Sequence, residues 1–214
     1  MKTLIINAHP DYLNDNHFSI KYQEIFLDKF KKKFPDSDYT ILNLYDLDLP
    51  RIEEKGLQSI WNKRRSSSYL TSTELKIEKN SQALLSQFKE HHRIVIVSPL
   101  HNFNITSRLK DYLDNILISR ETFKYTSTGS EGLMTNNYKV LLLQASGSIY
   151  TNDDRYTPLE FSNFYLKAMF EEIMGFNKFY IARMEGTALL KEDEVIADGI
   201  TQLEKLFADF YSNI

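Results

Sequence analysis

The chain has 214 residues, with 26 lysine and arginine residues against 29 aspartate and glutamate residues, and its formal net charge is −3. Hydrophobic residues make up 42% and charged residues 26%, which is typical of a globular chain with a sizeable core and does not indicate disorder. The near-neutral balance excludes an overall basic field for nucleic acid or an anionic membrane, and the lack of cysteine excludes disulfides and cysteine-ligated metal sites.

The chain begins with MKTLIIN, whose apolar run is too short for the apolar core of a signal peptide. No other apolar run approaches the length of a membrane span. We therefore expect a cytoplasmic protein with no membrane or nucleic-acid partner. The length fits one α/β domain, so we predict that residues 1–214 form a single domain.

Short β-branched runs alternate along the chain with amphipathic stretches, which is typical of βαβ units and a parallel sheet. Several of these runs are apolar throughout, as strands buried on both faces must be. The predicted strands are residues 3–7, 39–44, 93–98, 139–144 and 178–183.

The stretches between the strands predict helices that each bury one face. Aromatic residues recur every four positions from Phe18 to Phe30, and Pro35 ends that helix. Thr71 and Glu74 have the spacing of a capping box. The basic run at 63–65 is predicted to lie in a loop. The other predicted helices are residues 72–90, 105–119, 158–174 and 195–210.

Five strands with intervening helices indicate a flavodoxin-like, doubly wound parallel sheet of strand order 2-1-3-4-5, with helices on both faces. In such a sheet, ligands bind at the carboxyl ends of the strands, beside the point where the strand order reverses. The candidate site therefore consists of the loops that follow strands one, three and four, which are residues 8–19, 99–104 and 145–150.

The loop sequences argue against several familiar nucleotide sites. The first glycine of the chain is Gly56, so no GxGxxG dinucleotide motif follows the first strand, and no P-loop motif occurs. The loop at residues 8–19 leads into a helix, and such a loop can hold a phosphate on backbone N–H groups without a glycine motif. The Ser19 hydroxyl could contribute to the same site. The alternative is that Ser19 and Asn16 are ordinary helix caps.

Three motifs, in order, carry a resemblance to a known family. The first is AHP at residues 8–10. The second is PLHNFNITSRLKDYLDNI at 99–116, in which a proline and two variable residues precede Asn-Phe-Asn-Ile and a helix. The third is the aromatic segment TFKYTSTGSEGL at 122–133, which leads to Gly-x-x-Gly-Leu. Over nearly its whole length the chain resembles the FMN-dependent NAD(P)H azoreductases and NAD(P)H quinone reductases.

The resemblance implies an FMN cofactor, NADH or NADPH as electron donor, a quinone or azo compound as acceptor, and a homodimer. It also implies three groups of FMN-binding residues. The phosphate would be surrounded by His9, His17, Phe18 and Ser19. The isoalloxazine would be held by Pro99, Leu100, His101, Asn102 and Phe103, and its pyrimidine edge approached by Ala145, Ser146, Gly147 and Ser148.

Further residues are candidates for the substrate pocket. The resemblance implies that Phe123 and Tyr125 lie beside this pocket, and the alternative is that they pack in the core or at a dimer interface. Phe170 is a candidate ring from the opposite subunit. His101 stands where azoreductases commonly have tyrosine, and its near-neutral reference pKa suits a proton donor to the second substrate. Its alternative role is a polar pocket wall. No histidine spacing supports a metal site.

The predicted fold and the family resemblance are compatible with two FMN-dependent functions. The first is an oxidoreductase that works by ping-pong hydride transfer, and the second is a flavodoxin-type FMN electron carrier that turns over no small molecule. The near-neutral charge and the aromatic segment at 122–133 favour the enzyme. A third alternative is a flavin-free relative of the fold that binds a partner protein.

Overall fold

The computed structural model of the protein describes residues 2–212. The strands are β1 (Lys2–Asn7), β2 (Asp38–Asn43), β3 (Arg93–Pro99), β4 (Phe123–Thr126), β5 (Gly129–Gly132), β6 (Lys139–Ala145) and β7 (Lys178–Met184). Five of these strands form one parallel sheet in the order β2-β1-β3-β6-β7, and β4 and β5 form a separate antiparallel hairpin. The sheet order matches the predicted 2-1-3-4-5, since β6 and β7 are the fourth and fifth predicted strands.

The described residues contain six α-helices. Residues 158–174, predicted as one helix, form the end of a short 3₁₀ turn, a short α-helix over Phe161–Lys167 and a π-helical turn over Ala168–Ile173. None of the helices within residues 2–212 is both long and apolar enough to cross a membrane. The helices are α1 (Phe18–Lys33), α2 (Leu57–Arg65), α3 (Ser72–Glu90), α4 (Ser107–Ile116), α5 (Phe161–Lys167) and α6 (Glu192–Phe210).

Two hydrophobic clusters divide the buried side chains of the sheet. Leu4 and Ile6 of β1 belong to a cluster with residues of α3, α4 and α5, whereas Ile5 belongs to a cluster with residues of α1 and α6. Successive residues of a strand point to opposite faces, so both faces of β1 are buried. The carboxyl edge of the sheet is left for the connecting loops.

The helix α2 corrects the loop prediction for the basic run at 63–65, which forms the last turn of this helix. The cations of this turn face the negative end of the helix dipole and also reach α3. Lys63 Nζ donates to Glu74 Oε2 at 2.7 Å, and Arg64 donates through Nε and a terminal nitrogen to the two carboxylate oxygens of Glu78.

The capping box predicted at the start of α3 is confirmed, and its carboxylate has further partners. The Glu74 carboxylate accepts hydrogen bonds from the Thr71 N–H at 2.8 Å and the Ser59 hydroxyl at 2.8 Å, besides the Lys63 ammonium at 2.7 Å. Lys63, then the Thr71 N–H and the Ser59 hydroxyl, lower the pKa of Glu74 to about 2.

This lowered pKa makes the stability contribution of Glu74 pH-dependent. Because the folded pKa of about 2 lies below the ordinary 4.5, the contribution is complete above pH 4.5 and is lost as the pH falls toward 2. We expect Glu74→Gln to be less stable than wild type at pH 7 and to lose less stability between pH 4.5 and 2. Urea unfolding across this range, with exposed Glu54→Gln as control, measures both. An acid response identical to wild type would contradict the expectation.

Candidate functional site

Three loops converge at the carboxyl edge of the sheet, because β3 lies between β1 and β6. The Leu100 N–H donates to the Ala145 carbonyl at 2.8 Å and thereby joins the loop after β3 to the end of β6. The Thr106 hydroxyl donates to the Ala8 carbonyl at 3.1 Å and joins the start of α4 to the loop after β1. The structure therefore brings together the three loops that the strand order predicts.

The loop after β1 contains a pair of histidines whose ring centroids are 4.2 Å apart, His9 and His17. His9 is buried, and its Nδ1 accepts the Asp11 N–H at 3.1 Å, while the Asp11 carboxylate lies 2.8 Å from His17 Nε2. Burial lowers the pKa of His9, and the neighbouring His17 lowers it further. With Nδ1 accepting, neutral His9 carries its proton on Nε2, where it is available as a donor.

The first turn of α1 supplies further donors beside this histidine pair. His17 is the residue that caps α1, without a side-chain hydrogen bond, so neither Asn16 nor Ser19 is the cap. Within residues 2–212, the N–H groups of Phe18 and Ser19 have no hydrogen-bond partner. Free N–H groups at the positive end of a helix dipole are suited to an anion such as a phosphate.

The loop after β3 is a tight turn in which His101 and Asn104 exchange two N–H to carbonyl hydrogen bonds of 3.0 Å. Asn102 and Phe103 have φ of 47° and 67°, a left-handed conformation that asparagine tolerates better than most residues. Their N–H groups have no partner within the described chain. Thr106 caps α4, and His101 is exposed beside the turn.

The loop after β6 presents an open backbone surface. The Ser146 N–H donates to the Met184 carbonyl at 3.0 Å, and the Ser146 hydroxyl donates to the Ser148 carbonyl at 2.8 Å. Gly147 is exposed, and a Cβ added there would meet only the Ala188 methyl group, at 3.7 Å. In residues 2–212 the N–H groups of Gly147 and Ser148 are unpartnered. A flat ring can therefore approach this backbone closely.

The aromatic candidates for the substrate pocket lie elsewhere. Phe123 is 9% exposed and Tyr125 is 74% exposed, and their rings pack edge to face with centroids 5.3 Å apart. No hydrogen bond or ring contact of residues 2–212 joins either residue to the three loops. Phe170 is fully buried among Phe88 and Phe176, so its interpretation as a pocket ring is corrected to a core residue.

A fourth loop, which the sequence reasoning missed, supports the site from behind. The N–H groups of Gly186, Thr187 and Ala188 donate to the carbonyl groups of residues 146–148 at distances of 3.1 to 3.2 Å. The only local signal was the glycine close behind β7, Gly186, whose φ is +71°.

The sheet order and the loops at its carboxyl edge define a flavodoxin-like protein. The family model described as "Flavodoxin-like fold" matches residues 1–207. The chain is 50% identical over 212 residues to FMN-dependent NADH:quinone oxidoreductase 1 of Lactiplantibacillus plantarum, covering 98% of this chain and 99% of the relative. It is 48% identical over 213 residues to FMN-dependent NADH:quinone oxidoreductase of Streptococcus agalactiae, covering 99% of both chains.

A solved structure has a closely similar fold. It is the crystal structure of an FMN-dependent NADH-azoreductase from Bacillus anthracis in complex with FMN, with a TM-score of 0.92, 45% sequence identity, and coverage of 97% of this chain and 98% of that chain. The chain therefore belongs to the family of FMN-dependent NADH:quinone oxidoreductases within the flavodoxin-like fold. The predicted family resemblance is confirmed.

Proposed function

We propose that this protein is an FMN-dependent oxidoreductase that takes electrons from NADH or NADPH and reduces quinones and azo compounds. The observation that carries the proposal is that each of the three convergent loops offers adjacent backbone N–H groups without a hydrogen-bond partner in residues 2–212, among them the pairs 18–19, 102–103 and 147–148. When bound, FMN supplies two-electron hydride transfer between the two substrates, which use the same place in ping-pong order.

The donor set fits FMN residue by residue. The N–H groups of Phe18 and Ser19, with His9 and His17 beside them, would hold the terminal phosphate. Pro99, Leu100 and the turn over 101–103 would hold the ring, with the N–H groups of Asn102 and Phe103 toward its polar edge.

The pyrimidine edge of the ring would be bound by the loop after β6. Ala145 and Ser146 would approach it, and the N–H groups of Gly147 and Ser148 would donate to it. Fixed donors at that edge stabilise negative charge on the ring and so favour its reduction.

The second substrate would contact side chains, none of which needs to act as a nucleophile. His101 is exposed beside the turn, where it can donate a proton to a bound quinone or azo nitrogen. Phe123 and Tyr125 remain candidates for the substrate pocket, contributed by a second protomer. The names of relatives at about 50% identity favour this enzyme over a flavodoxin-type electron carrier.

We extend the proposal to the organisation of the chain. A doubly wound sheet within one domain over residues 1–214 is supported by the two clusters on opposite faces of β1. The net charge of −3 supports a protein without nucleic-acid or membrane partners, and we expect a cytoplasmic location. No metal is needed for the proposed reaction.

We expect FMN to bind more tightly than FAD. The loop that leads into α1 can close on a terminal phosphate, and the sequence has no adenosine-binding motif. Equilibrium titration of the flavin-free protein, followed by flavin fluorescence, measures both affinities. Tighter FAD binding would contradict the placement of the phosphate at Phe18 and Ser19, and binding of neither flavin would overturn the proposed function.

We expect a symmetric homodimer, because large aromatic side chains are exposed in two segments. Tyr125 is 74%, Phe161 50% and Phe164 76% exposed. Such apolar groups favour a self-complementary interface. Sedimentation equilibrium at micromolar concentration should give twice the mass of the chain, and Phe164→Ser should weaken the association. A monomer with full activity would contradict the expectation.

A further inference from the structure

The loop after β7 is bonded to the loop after β6 by side chains as well as by backbone. Glu185 Oε1 accepts the Tyr150 N–H at 2.8 Å, and its Oε2 accepts the Thr151 hydroxyl at 2.7 Å. The Glu185 side chain is only 10% exposed. Both carboxylate oxygens therefore hold the segment directly beyond Gly147 and Ser148.

The charge of this largely buried carboxylate is partly balanced by Arg183, which lies between Glu185 and a second carboxylate, Glu160. Arg183 Nε lies 4.0 Å from Glu185 Oε1, and a terminal nitrogen of the same guanidinium donates to Glu160 Oε2 at 2.8 Å. All three side chains are 13% exposed or less. A largely buried charge is tolerated when it is hydrogen-bonded, and the two hydrogen bonds that Glu185 accepts give its carboxylate a defined geometry.

The same group reaches the turn after β3 by two routes. Tyr150, held by Glu185, is buried and places its ring edge to face with Phe103, with centroids 6.3 Å apart. Phe161, which follows the Arg183 partner Glu160 in the chain, donates its N–H to the Phe103 carbonyl at 2.9 Å. Phe103 is one of the two left-handed residues of the turn, so its position needs such support.

We propose that Glu185 is a positioning residue that fixes both ring-binding loops of the flavin site at once. It acts on the loop after β6 through the Tyr150 N–H and the Thr151 hydroxyl, and on the turn after β3 through the Tyr150 ring. This inference rests on the proposed function, because the loops that it fixes are the proposed flavin loops. Glu185 itself touches no reacting atom.

Two substitutions of Glu185 distinguish the loss of its hydrogen bonds from the loss of its charge. We expect Glu185→Ala to weaken FMN binding by about tenfold or more, since a buried N–H and a hydroxyl lose their acceptors. Glu185→Gln keeps an oxygen for the Tyr150 N–H, so we expect a loss of no more than about threefold. Glu54→Ala, at an exposed glutamate with no hydrogen bond in the described chain, is the matched control.

A second readout does not depend on the flavin. In the flavin-free protein, amide hydrogen exchange at Tyr150 should become faster in Glu185→Ala than in wild type and stay near wild type in Glu185→Gln. If Glu185→Ala does not fold, Thr151→Val removes one of the two hydrogen bonds and should shift both readouts in the same direction by less.

The outcomes distinguish the inference from the function on which it rests. Wild type that binds FMN, with unchanged affinity and exchange in Glu185→Ala, would overturn the positioning role and leave the proposed function intact. Wild type that binds no FMN would overturn the proposed function and the role together. Equal losses in Glu185→Ala and Glu185→Gln would show that the hydrogen bond to Tyr150 is not what positions the loops.

Discussion

Replacing Gly132 by alanine should lower the free energy of unfolding by about 3 kcal/mol, because no space exists for a side chain there. A Cβ on Gly132 would lie 2.4 Å from the Gly175 nitrogen and 2.4 Å from the Met174 carbonyl carbon. Both are backbone atoms, and the Met174 carbonyl is itself bonded to the Met134 N–H at 2.8 Å. A side chain at this position can therefore be accommodated only by a shift of the backbone.

Thermal unfolding of Gly132→Ala measures this effect, and we expect a decrease in Tm of about 6 to 12 °C. Gly147→Ala is the matched control, because its added Cβ meets nothing nearer than the Ala188 methyl group at 3.7 Å. That variant should keep its stability within about 0.5 kcal/mol and lose FMN affinity instead. Wild-type Tm in Gly132→Ala would show that β5 does not approach Gly175 this closely.

Asn102→Val should weaken FMN binding or turnover by about tenfold to a hundredfold, the equivalent of roughly 1 to 3 kcal/mol. Asn102 has φ of 47°, and a β-branched residue strongly disfavours the left-handed region. Relaxation of the turn would turn the N–H groups of Asn102 and Phe103 away from the ring. The sheet, which is stabilised elsewhere, should remain folded.

Asn102→Gly serves as the control for the backbone. Glycine accepts the left-handed conformation, so this variant removes the side chain and keeps the turn. Because Thr106 caps α4, loss of a helix cap is not expected in either variant. FMN affinity, turnover and Tm should be measured for both. Unchanged affinity and turnover in Asn102→Val would contradict the placement of this turn against the flavin.

The centre of the sheet could be predicted from the sequence because β1, β3 and β6 are buried on both faces and therefore read as largely continuous apolar runs. The α3 boundary could be predicted as well, since the capping box of Thr71 and Glu74 is a local signal. By contrast, α2 has few buried residues, chiefly Leu57 and Ile60, and is held by ion pairs to α3. Tertiary ion pairs leave no periodic pattern.

The hairpin was missed for a related reason. Its second strand, Gly129–Gly132, reads GSEG, a sequence with low intrinsic β propensity. The strand lies close to the backbone at Gly175, an approach that the lack of a side chain at Gly132 permits. Aromatic spacing equally failed to distinguish core from interface for Phe170, since both environments bury a ring.

The location of the site followed from topology, because the order of the strands determines which loops meet at the carboxyl edge. The roles of individual residues in those loops stay predictions. The role of Glu185 behind these loops could not be predicted, since its hydrogen bond to Tyr150 spans 35 residues of sequence. Long-range pairs of this kind have no local signature.

The most direct test of the proposed function is the initial rate of NADH and NADPH oxidation by FMN-loaded protein, with a quinone and with an azo dye as acceptor. We expect turnover with both acceptors, and parallel lines in double-reciprocal plots at several fixed acceptor concentrations, as ping-pong order requires. Absence of turnover in protein that has bound FMN, or lines that intersect, would contradict the proposed reaction.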